Sequence, residues 1–312
     1  MMSVAVLKSG PCMTIQDTGR YGYFAQGITT SGALDILCLK KLNCLLGNDI
    51  NAAAIEMLML GGSFRFINRT SFAIGGADMS ASLNGNICSL YKIYTAEYGD
   101  ILEFGFAKKG WVGYFAVSGG FTADSVMNSQ STNLKCSFGG MNGRILKTGD
   151  VIESGTVSCF SCDKYIADID EKDNNVIRVV KGPQYDLFSN SAKKKFYEQS
   201  YTVSNSYNRM GCRLSGDPLY NNGSTDIISD TVNLGSIQIA SDGCPIVMLS
   251  DRQTTGGYAK IASVIFADIG KFVQHKPGDK IRFKKISIRK AQQLYAKQDK
   301  YIKRLKKDYS GG

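Results

Sequence analysis

The chain has 312 residues, of which 43% are hydrophobic, and a net charge of +10. This length suits about two domains, and since no apolar run reaches about 18 residues, we expect no membrane span. Residues 284–308 hold ten Lys or Arg and two Asp, a net charge of +8, which leaves +2 for all other residues. The body of the protein is therefore nearly neutral, which argues against a nucleic-acid partner.

Cysteine usage and the N-terminal residues favour a cytoplasmic protein. The nine cysteines have no regular spacing, as expected for free thiols in a reducing compartment. Cys159 and Cys162 have a CxxC spacing, but no second pair exists and the only histidine is His275, so we expect ordinary thiols rather than a zinc site. We predict that His275 is exposed, because it lies beside a turn. The first residues lack the pattern of a signal peptide.

Short apolar runs separated by Gly, Asn and Asp follow one another along the chain. A count of 34 Gly against five Pro is typical of a turn-rich β protein. The runs that predict strands are 3–7, 63–67, 71–75, 101–106, 114–117, 176–180, 237–240 and 280–285. Helices are predicted at 31–46, with Ser31 as N-cap, and at 191–197. A third, amphipathic helix is predicted in the basic tail, where apolar residues recur at helical spacing from Ala291 to Leu305.

Several short motifs of the first half recur in the second half, most of them in the same order. The corresponding pairs are Val6–Pro11 with Val179–Pro183, Arg20–Gly22 with Arg209–Gly211, and Tyr98–Asp100 with Pro277–Asp279. This recurrence predicts two related β modules, with a boundary in the polar segment 167–175. We therefore expect an N-terminal domain at 1–170, a C-terminal domain at 171–286, and a basic helix and tail at 287–312.

Three polar groups in the first half could carry chemistry. Asp17 offers a carboxylate, and Arg20 offers a guanidinium that could bind a carboxylate or a phosphate; the alternative is a turn with a local pair between the two. The segment 31–35 could direct a helix N-terminus at an anion, or it could only cap the helix. Asp78, at the exit of a predicted strand, could be a base or metal ligand, or it could belong to a turn.

Two further groups lie in the second half. Arg209 and Arg213 are four residues apart, so in a strand their side chains would lie on the same face. Without adjacent acidic residues they suggest an anionic ligand. The alternative is two arginines on the surface.

Asp251–Tyr258 joins two apolar runs that are typical of buried strands. It combines charged, amide and hydroxyl side chains with Gly256 and Gly257, whose backbone could approach a ligand closely. We predict a ligand-binding loop there, against the alternative of an ordinary turn.

The order of these motifs resembles that of a known family. The matching segments are Gln16–Arg20, Ser31–Asp35, Gly119–Phe121, Gly139–Gly140, Gly182–Gln184, Arg209–Gly211, Ser229–Asp230, Gly235–Gln238 and Asp251–Tyr258. They are similar to the biotin-dependent carboxyltransferase-like family, which includes the C subunit of bacterial 5-oxoprolinase, also called KipA, and the proteins called allophanate hydrolase subunit 2. The chain departs from the family pattern at Gln130, where Arg is usual, and at Asn208, where Asp is frequent.

The resemblance implies a mainly β fold of two cyclophilin-like β-barrel domains, with few helices besides the C-terminal amphipathic one. It also implies an enzyme that opens 5-oxoproline to glutamate with ATP and Mg²⁺, in a complex with an A subunit and a KipI-like B subunit. The chain has neither a GxxxxGK[ST] nor a GxGxxG motif, so nucleotide binding would be atypical or shared with a partner.

Within this resemblance the polar residues receive expected roles. Three carboxylates, Asp17, Asp78 and Asp251, are candidates for acid–base catalysis or for holding Mg²⁺, although no metal site is assigned. The residues expected to bind substrate or phosphate are Arg20, Arg209, Arg213, Gln238, Gln253, Thr254, Thr255, Gly256, Gly257, Tyr258 and Lys260.

Two alternatives stay open. A related domain in urea carboxylase moves a carboxyl group from carboxybiotin to urea, so the chain could be the carboxyltransferase component of a biotin-dependent urea or amide carboxylase. It could instead be a binding protein that antagonises a KipI-like kinase inhibitor, in which case it would form a stable complex and turn over no substrate.

Overall fold

The computed structural model of the protein describes residues 2–155, 164–166, 175–219 and 226–309. The chain divides into two units: unit 1 comprises Met1–Arg20, Ser31–Ile169 and Asp299–Gly312, and unit 2 comprises Tyr21–Thr30 and Asp170–Gln298. The CxxC pair and residues 167–174, which contain the expected boundary at 170/171, lie outside the described residues. The predicted thiols and domain boundary therefore stay predictions.

The described strands of unit 1 form two sheets. They are β1 (Met2–Lys8), β2 (Met13–Gln16), β3 (Ala54–Leu58), β4 (Ser63–Phe66), β5 (Thr70–Asp78), β6 (Ser82–Leu83), β7 (Asn86–Ile87), β8 (Ile93–Ala96), β9 (Ile101–Glu103), β10 (Lys109–Val117), β11 (Phe121–Thr122) and β12 (Val151–Ser154). The seven-stranded sheet has the order β11-β12-β1-β4-β9-β6-β7, and the five-stranded sheet has the order β2-β3-β10-β5-β8.

Aromatic rings fill the core of unit 1. Phe64 and Phe66 of β4 belong to the first sheet, whereas Phe72 of β5 and Phe115 of β10 belong to the second, and all four are fully buried. The ring centroid of Phe115 lies 5.1 Å from that of Phe64 and 5.8 Å from that of Phe72. Each such side chain stabilises the fold by about 1.5–3 kcal/mol through burial, so these rings hold the two sheets together.

Unit 2 is built on a closed β-barrel. Its strands are β13 (Val176–Lys181), β14 (Tyr201–Tyr207), β15 (Gly211–Ser215), β16 (Asp226–Thr231), β17 (Ser236–Ile239), β18 (Pro245–Met248), β19 (Thr255–Tyr258), β20 (Lys260–Val264) and β21 (Lys280–Lys285). The barrel has the order β13-β20-β17-β18-β15-β14-β21 and closes through the parallel pair of β13 and β21. In β21, buried Ile281 and Phe283 alternate with exposed basic residues, as a strand with one interior face requires.

The fold is mainly β, as predicted, and it contains one closed barrel among the described residues. In unit 1 the strands form two sheets, so the second of the two expected barrels is not confirmed. β16 and β19 stand apart from the barrel order as a two-stranded sheet; we call this pair the ribbon.

The described part of the chain has four α-helices, one more than predicted. They are α1 (Ile36–Leu45), α2 (Asn190–Glu198), α3 (Phe266–Val273) and α4 (Ile288–Tyr309). The prediction of Ser31 as the first N-cap is wrong, because Ser31 and Gly32 have φ of 52° and 83° and cannot begin a helix. Asp35 caps α1 instead, since its Oδ1 accepts a hydrogen bond from the Cys38 N–H at 3.0 Å.

The predicted C-terminal helix is present as α4. It buries Ile302 and Leu305, whereas most of its Lys and Arg side chains are exposed, so it is amphipathic as expected. Among the residues that the structure describes, no helix combines the length and the apolar character needed to cross a bilayer.

His275 is buried, so the prediction that it is exposed is wrong. Only 8% of its surface is accessible, and its Nδ1 lies 3.0 Å from the carbonyl oxygen of Lys271 at the end of α3. Lys276, in the turn that follows, is more exposed than His275, and the imidazole lies in the interior. Burial lowers the pKa of His275 below its usual 6.5, so the imidazole is neutral at pH 7.

The buried histidine predicts a pH dependence of stability. A depressed pKa means that the unfolded chain binds more protons than the folded chain below about pH 6.5. We therefore expect the free energy of unfolding to keep its full value above about pH 6.5 and to decrease as the pH falls below 6.5 towards the lowered pKa of the folded state. Urea denaturation at several pH values measures this slope, and His275→Gln should flatten it. Because the chain has no other histidine, an unchanged slope in that variant would contradict the assignment.

Candidate functional site

Lys260 lies at the centre of a polar group in unit 2, which we call the Lys260 cluster. Its members are Gln184, Asp230, Gln238, Gln253, Gly256 and Lys260. Lys260 begins β20, where its backbone is in register with Gln238 of β17, and its side chain is only 1% exposed. Its Nζ donates to Asp230 Oδ2 at 2.9 Å, and Gln184 Nε2 donates to the same oxygen at 3.0 Å. A buried ammonium and an amide thus converge on one carboxylate oxygen.

Gln184 is fixed by the backbone of Lys260. Its side-chain Oε1 accepts from the Lys260 N–H at 3.2 Å, and its own N–H donates to the Lys260 carbonyl at 3.3 Å. A Cβ atom at Gly182 would lie 2.2 Å from that same carbonyl oxygen. The segment Gly182–Gln184 therefore needs glycine at its first position to approach β20 closely enough.

Asp230 closes the cluster on its solvent side. Its side chain is 45% exposed. Hydrogen bonds from Lys260 and Gln184, with a further one from the Thr231 N–H, lower the pKa of Asp230 to about 2. The carboxylate is thus ionised at neutral pH and forms an ion pair with the ammonium of Lys260.

The ribbon brings Asp230 to the predicted ligand-binding loop. Thr255–Tyr258 is not a loop but the strand β19, and Gly256 is in register with Asp230 of β16. The prediction of a loop is wrong at these positions because β16 supplies a partner for the backbone. Thr254 lies just before the strand, and its carbonyl oxygen accepts from the Val232 N–H at 2.9 Å.

Two amide side chains surround Gly256. A Cβ atom at this residue would lie 2.9 Å from Gln238 Nε2 and 3.3 Å from Gln253 Nε2. Gln238 is 2% exposed and its Nε2 donates to the Tyr258 carbonyl at 3.5 Å. Amides can both donate and accept hydrogen bonds, so this side of the cluster suits a ligand that contains an amide. A Cβ atom at Gly257 would meet only the Ile227 carbonyl oxygen, at 3.5 Å.

Asp251 and Arg209 form a buried ion pair in unit 2. Arg209 Nε donates to Asp251 Oδ2 at 2.9 Å and Nη2 to Oδ1 at 3.2 Å, and both side chains are 4% exposed. The Asp251 N–H also donates to the Arg209 carbonyl at 2.8 Å. The two predicted site residues are therefore brought together, and in this structure each satisfies the other.

Arg252, which was not predicted as a site residue, anchors the same segment. Its Nε donates to the Val232 carbonyl at 2.9 Å, and its guanidinium lies 5.4 Å from the ring centroid of Phe24. Burial lowers the pKa of Arg252 to about 10, so it remains protonated at pH 7. Thr29 Oγ1 donates to the carbonyl of Ser250 at 3.0 Å, which fixes the residue before Asp251.

Arg213 does not share a strand face with Arg209, and this expectation is wrong. β15 begins at Gly211, so Arg209 lies in the turn before it. The premise that no acid lies beside the arginines also fails, because Arg213 forms an ion pair with Asp242, with the two side chains 35% and 50% exposed. The anion-binding role of Arg213 stays a prediction.

Asp17 of unit 1 accepts hydrogen bonds from four groups of the protein. Its Oδ1 accepts from the Gly19 N–H at 2.8 Å, from Ser129 Oγ at 2.7 Å and from Ser131 Oγ, and its Oδ2 accepts from the Gln130 N–H at 2.7 Å. It is 7% exposed. The carboxylate therefore holds the segment 129–131, and the local pair with Arg20 stays a prediction.

Arg20 and Asp78 are placed differently within unit 1. Arg20 is 2% exposed, its Nη2 donates to the Ser131 carbonyl at 2.6 Å, and its guanidinium lies 4.6 Å from the ring centroid of Phe138. Asp78 is exposed at the end of β5, where its Oδ1 accepts from the Ser80 N–H at 2.9 Å. Their predicted roles in binding and catalysis stay predictions.

A second buried network in unit 1 was not predicted. Glu56 is fully buried, and its Oε2 accepts from Tyr114 Oη at 2.6 Å and from the Leu34 N–H at 2.8 Å. Tyr114 Oη in turn accepts from the Asp35 N–H at 2.7 Å. Burial, and then the nearby Glu56, raise the pKa of Tyr114 well above its usual value. This network fixes the residues 34 and 35 that precede α1.

Asp230 and Gln184 were also not predicted as site residues. Both lie in motifs that carry the family resemblance, Ser229–Asp230 and Gly182–Gln184, but nothing in either motif indicates a contact with Lys260. Among the described residues, no group of three His, Cys, Asp or Glu side chains is arranged to hold a metal ion.

Comparisons of the sequence and the fold with known proteins agree with the family resemblance that the order of the motifs indicated. The protein-family model described as carboxyltransferase domain, subdomain A and B, matches residues 26–285 of the chain. The chain is 35% identical to the C subunit of 5-oxoprolinase from Haemophilus influenzae over an alignment of 294 residues. This alignment covers 94% of each protein. It is 30% identical to the urea amidolyase of Saccharomyces cerevisiae over 97% of this chain but 18% of that protein. The crystal structure of Kluyveromyces lactis urea amidolyase superimposes on this chain with a TM-score of 0.88 and 28% sequence identity. The superposition covers 97% of this chain and 20% of the urea amidolyase chain.

Proposed function

The chain belongs to the carboxyltransferase domain family, and we propose that it is the C subunit of a 5-oxoprolinase that opens 5-oxoproline to glutamate. The likeness to the Haemophilus influenzae protein, at 35% identity over 94% of both chains, supports this function for the whole chain. The proposal includes a cyclophilin-like class for both domains, which the internal repeat supports, and a cytoplasmic location, which the irregular spacing of the cysteines supports.

The Lys260 cluster is the observation in the structure that carries the proposal. 5-Oxoproline has two polar parts, a carboxylate and a lactam amide. Lys260 and Gln184 already converge on a carboxylate oxygen, and the amides of Gln238 and Gln253 lie beside Gly256, opposite that carboxylate in the ribbon. An ammonium for the carboxylate and amides for the lactam match both parts of the substrate.

The chain supplies only part of the chemistry. Among its described residues no three carboxylate, thiol or imidazole groups surround one point, and neither nucleotide-binding motif occurs in the sequence, so nothing supports a site for ATP and Mg²⁺ held by this chain alone. We therefore assign ATP and Mg²⁺ to the A subunit of the enzyme, or to a site shared with it and with the KipI-like B subunit. This chain would bind and orient the substrate, with the amides of Gln238 and Gln253 fixing the lactam group for attack.

Reconstitution of the complex tests the function. We expect glutamate to form from 5-oxoproline when this chain, the A and B subunits, and ATP with Mg²⁺ are combined, and very little glutamate to form when any one protein is omitted. Release of glutamate can be followed by a coupled assay. The same rate with and without this chain would reject its role in the complex. A stable complex with the KipI-like protein that never turns over substrate would favour the binding-protein alternative.

The carboxyltransferase alternative has its own support. The chain matches the urea amidolyases over nearly its whole length, in sequence and in fold. As such a component it would use carboxybiotin and a urea-like amide, and it would depend on a separate biotin carboxylase. Assaying 5-oxoproline and urea side by side, with each set of partner proteins, separates the two functions.

A further inference from the structure

Asp230 occupies the place in the Lys260 cluster that a ligand carboxylate would fill. Its Oδ2 accepts from Lys260 Nζ at 2.9 Å and from Gln184 Nε2 at 3.0 Å. Charge-assisted hydrogen bonds of this kind are the usual means of binding a carboxylate. The donors are thus arranged for a carboxylate, and the chain itself supplies the one that is present.

The two sides of this ion pair are held with unequal firmness. Lys260 is 1% exposed and starts a barrel strand, and Gln184 is hydrogen-bonded to its backbone in both directions. Asp230 is 45% exposed on β16, which pairs only with β19 among the described strands. The pairing of β16 is irregular between Asp226 and Asp230, and its Ile228 is 96% exposed.

This difference decides which group can move. Rotating the half-exposed side chain of Asp230 towards solvent breaks at most three hydrogen bonds, those from Lys260, Gln184 and the Thr231 N–H, and leaves the barrel intact. The Lys260 side chain is 1% exposed and its strand β20 is paired on both sides, with β13 and with β17, so the enclosed ammonium has less room to move than the carboxylate of Asp230. A carboxylate that arrives from solvent therefore meets donors that stay fixed and a competitor that can be displaced.

We propose that Asp230 is an internal competitor, which a ligand carboxylate displaces from Lys260 and Gln184 when it binds. Applied to 5-oxoproline this rests on the proposed function, whereas for small carboxylates in general it rests on the cluster alone. The displacement makes binding selective, because a neutral amide cannot replace the charge of Asp230 beside Lys260. It also weakens binding, since the measured Kd equals the intrinsic Kd divided by the fraction of molecules in which Asp230 has left the slot.

Removing the competing charge tests the displacement. The isostere Asp230→Asn keeps the shape of the side chain and an acceptor oxygen for Lys260 but not its charge. Because the buried Lys260 then lacks its counter-charge, the urea denaturation curve of the variant is first compared with that of the native chain. Binding of acetate, 5-oxoproline and 2-pyrrolidinone, a lactam without a carboxylate, is measured by calorimetry on the full chain. We expect Asp230→Asn to bind acetate and 5-oxoproline about tenfold more tightly and 2-pyrrolidinone with unchanged affinity.

Asp226→Asn is the matched control, because it removes the same charge from the same strand at the far end of the ribbon, and it should bind all three compounds as the native chain does. Unchanged or weaker binding of acetate in Asp230→Asn would overturn the displacement, even if the complex hydrolyses 5-oxoproline. Tighter acetate binding without any binding or turnover of 5-oxoproline would support the carboxylate slot and reject the proposed function. The two ideas can therefore fail separately.

Discussion

Replacing Arg209 with alanine is expected to lower the free energy of unfolding by about 3–5 kcal/mol, because it leaves the carboxylate of Asp251 buried without its counter-charge. Both side chains are 4% exposed, and two parallel hydrogen bonds of 2.9 and 3.2 Å join them. Burying an ion without a partner is strongly unfavourable in a medium of low dielectric constant. Urea denaturation of the full chain at neutral pH measures the change.

Arg213→Ala is the control, since it removes the same side chain four residues further along the chain. Arg213 forms an ion pair with Asp242, and the two side chains are 35% and 50% exposed. Loss of this ion pair should therefore change the free energy of unfolding by less than about 1 kcal/mol. Replacing both buried partners, as Arg209→Met with Asp251→Leu, should recover much of the lost stability. Equal effects of the two arginine variants would contradict a structural role for the buried pair.

Comparing variants of these two arginines distinguishes an effect on folding stability from an effect on ligand binding. The sequence offers them as two similar anion clamps, but one is enclosed in an ion pair and the other lies on the surface with an acid of its own. A loss of activity in Arg209→Ala would therefore reflect folding as well as binding, whereas Arg213→Ala reports on binding alone. Catalytic assays of this protein need the second variant to interpret the first.

Local patterns in the sequence predicted those parts of the fold that depend on neighbouring residues. Ile281 and Phe283 alternate with basic residues, and this alternation places a strand at 280–285, as observed. The basic tail has helical spacing and forms α4. The helix α3 was missed because its first residue, Phe266, ends an apolar run typical of a buried strand. The packing of Asp268 in that helix against Arg178, 90 residues away, has no local signature.

Contacts between distant residues explain why the site was only partly predicted. The residues Gly256 and Gly257 suggest a loop, but pairing with β16 makes them part of a strand. Lys260 was predicted as a binding residue, yet its partner Asp230 is 30 residues away and Gln184 is 76 residues away. Residue chemistry thus indicates which groups could act, whereas the barrel register determines which of them meet.

Substituting alanine for Gly256 is expected to reduce kcat/KM of the reconstituted complex about 100-fold, because a displacement of about 1 Å in groups that position a substrate can have this effect. The new methyl group would lie 2.9 Å from Gln238 Nε2, 3.3 Å from Gln253 Nε2 and 3.1 Å from Val232 Cγ2. Two of these atoms are the ends of flexible side chains, which can turn aside. The fold should therefore tolerate the change while the amides lose their positions.

Gly257→Ala provides the matched control, since it adds the same methyl group one residue further along β19. Its nearest neighbour would be the Ile227 carbonyl oxygen at 3.5 Å, an ordinary van der Waals distance. We expect near-native turnover in this variant and similar denaturation midpoints for both. If the two variants lost activity equally, or if Gly256→Ala retained full activity, the amides of Gln238 and Gln253 would not be positioning the substrate. The Lys260 cluster would then lose its role as the site of lactam binding.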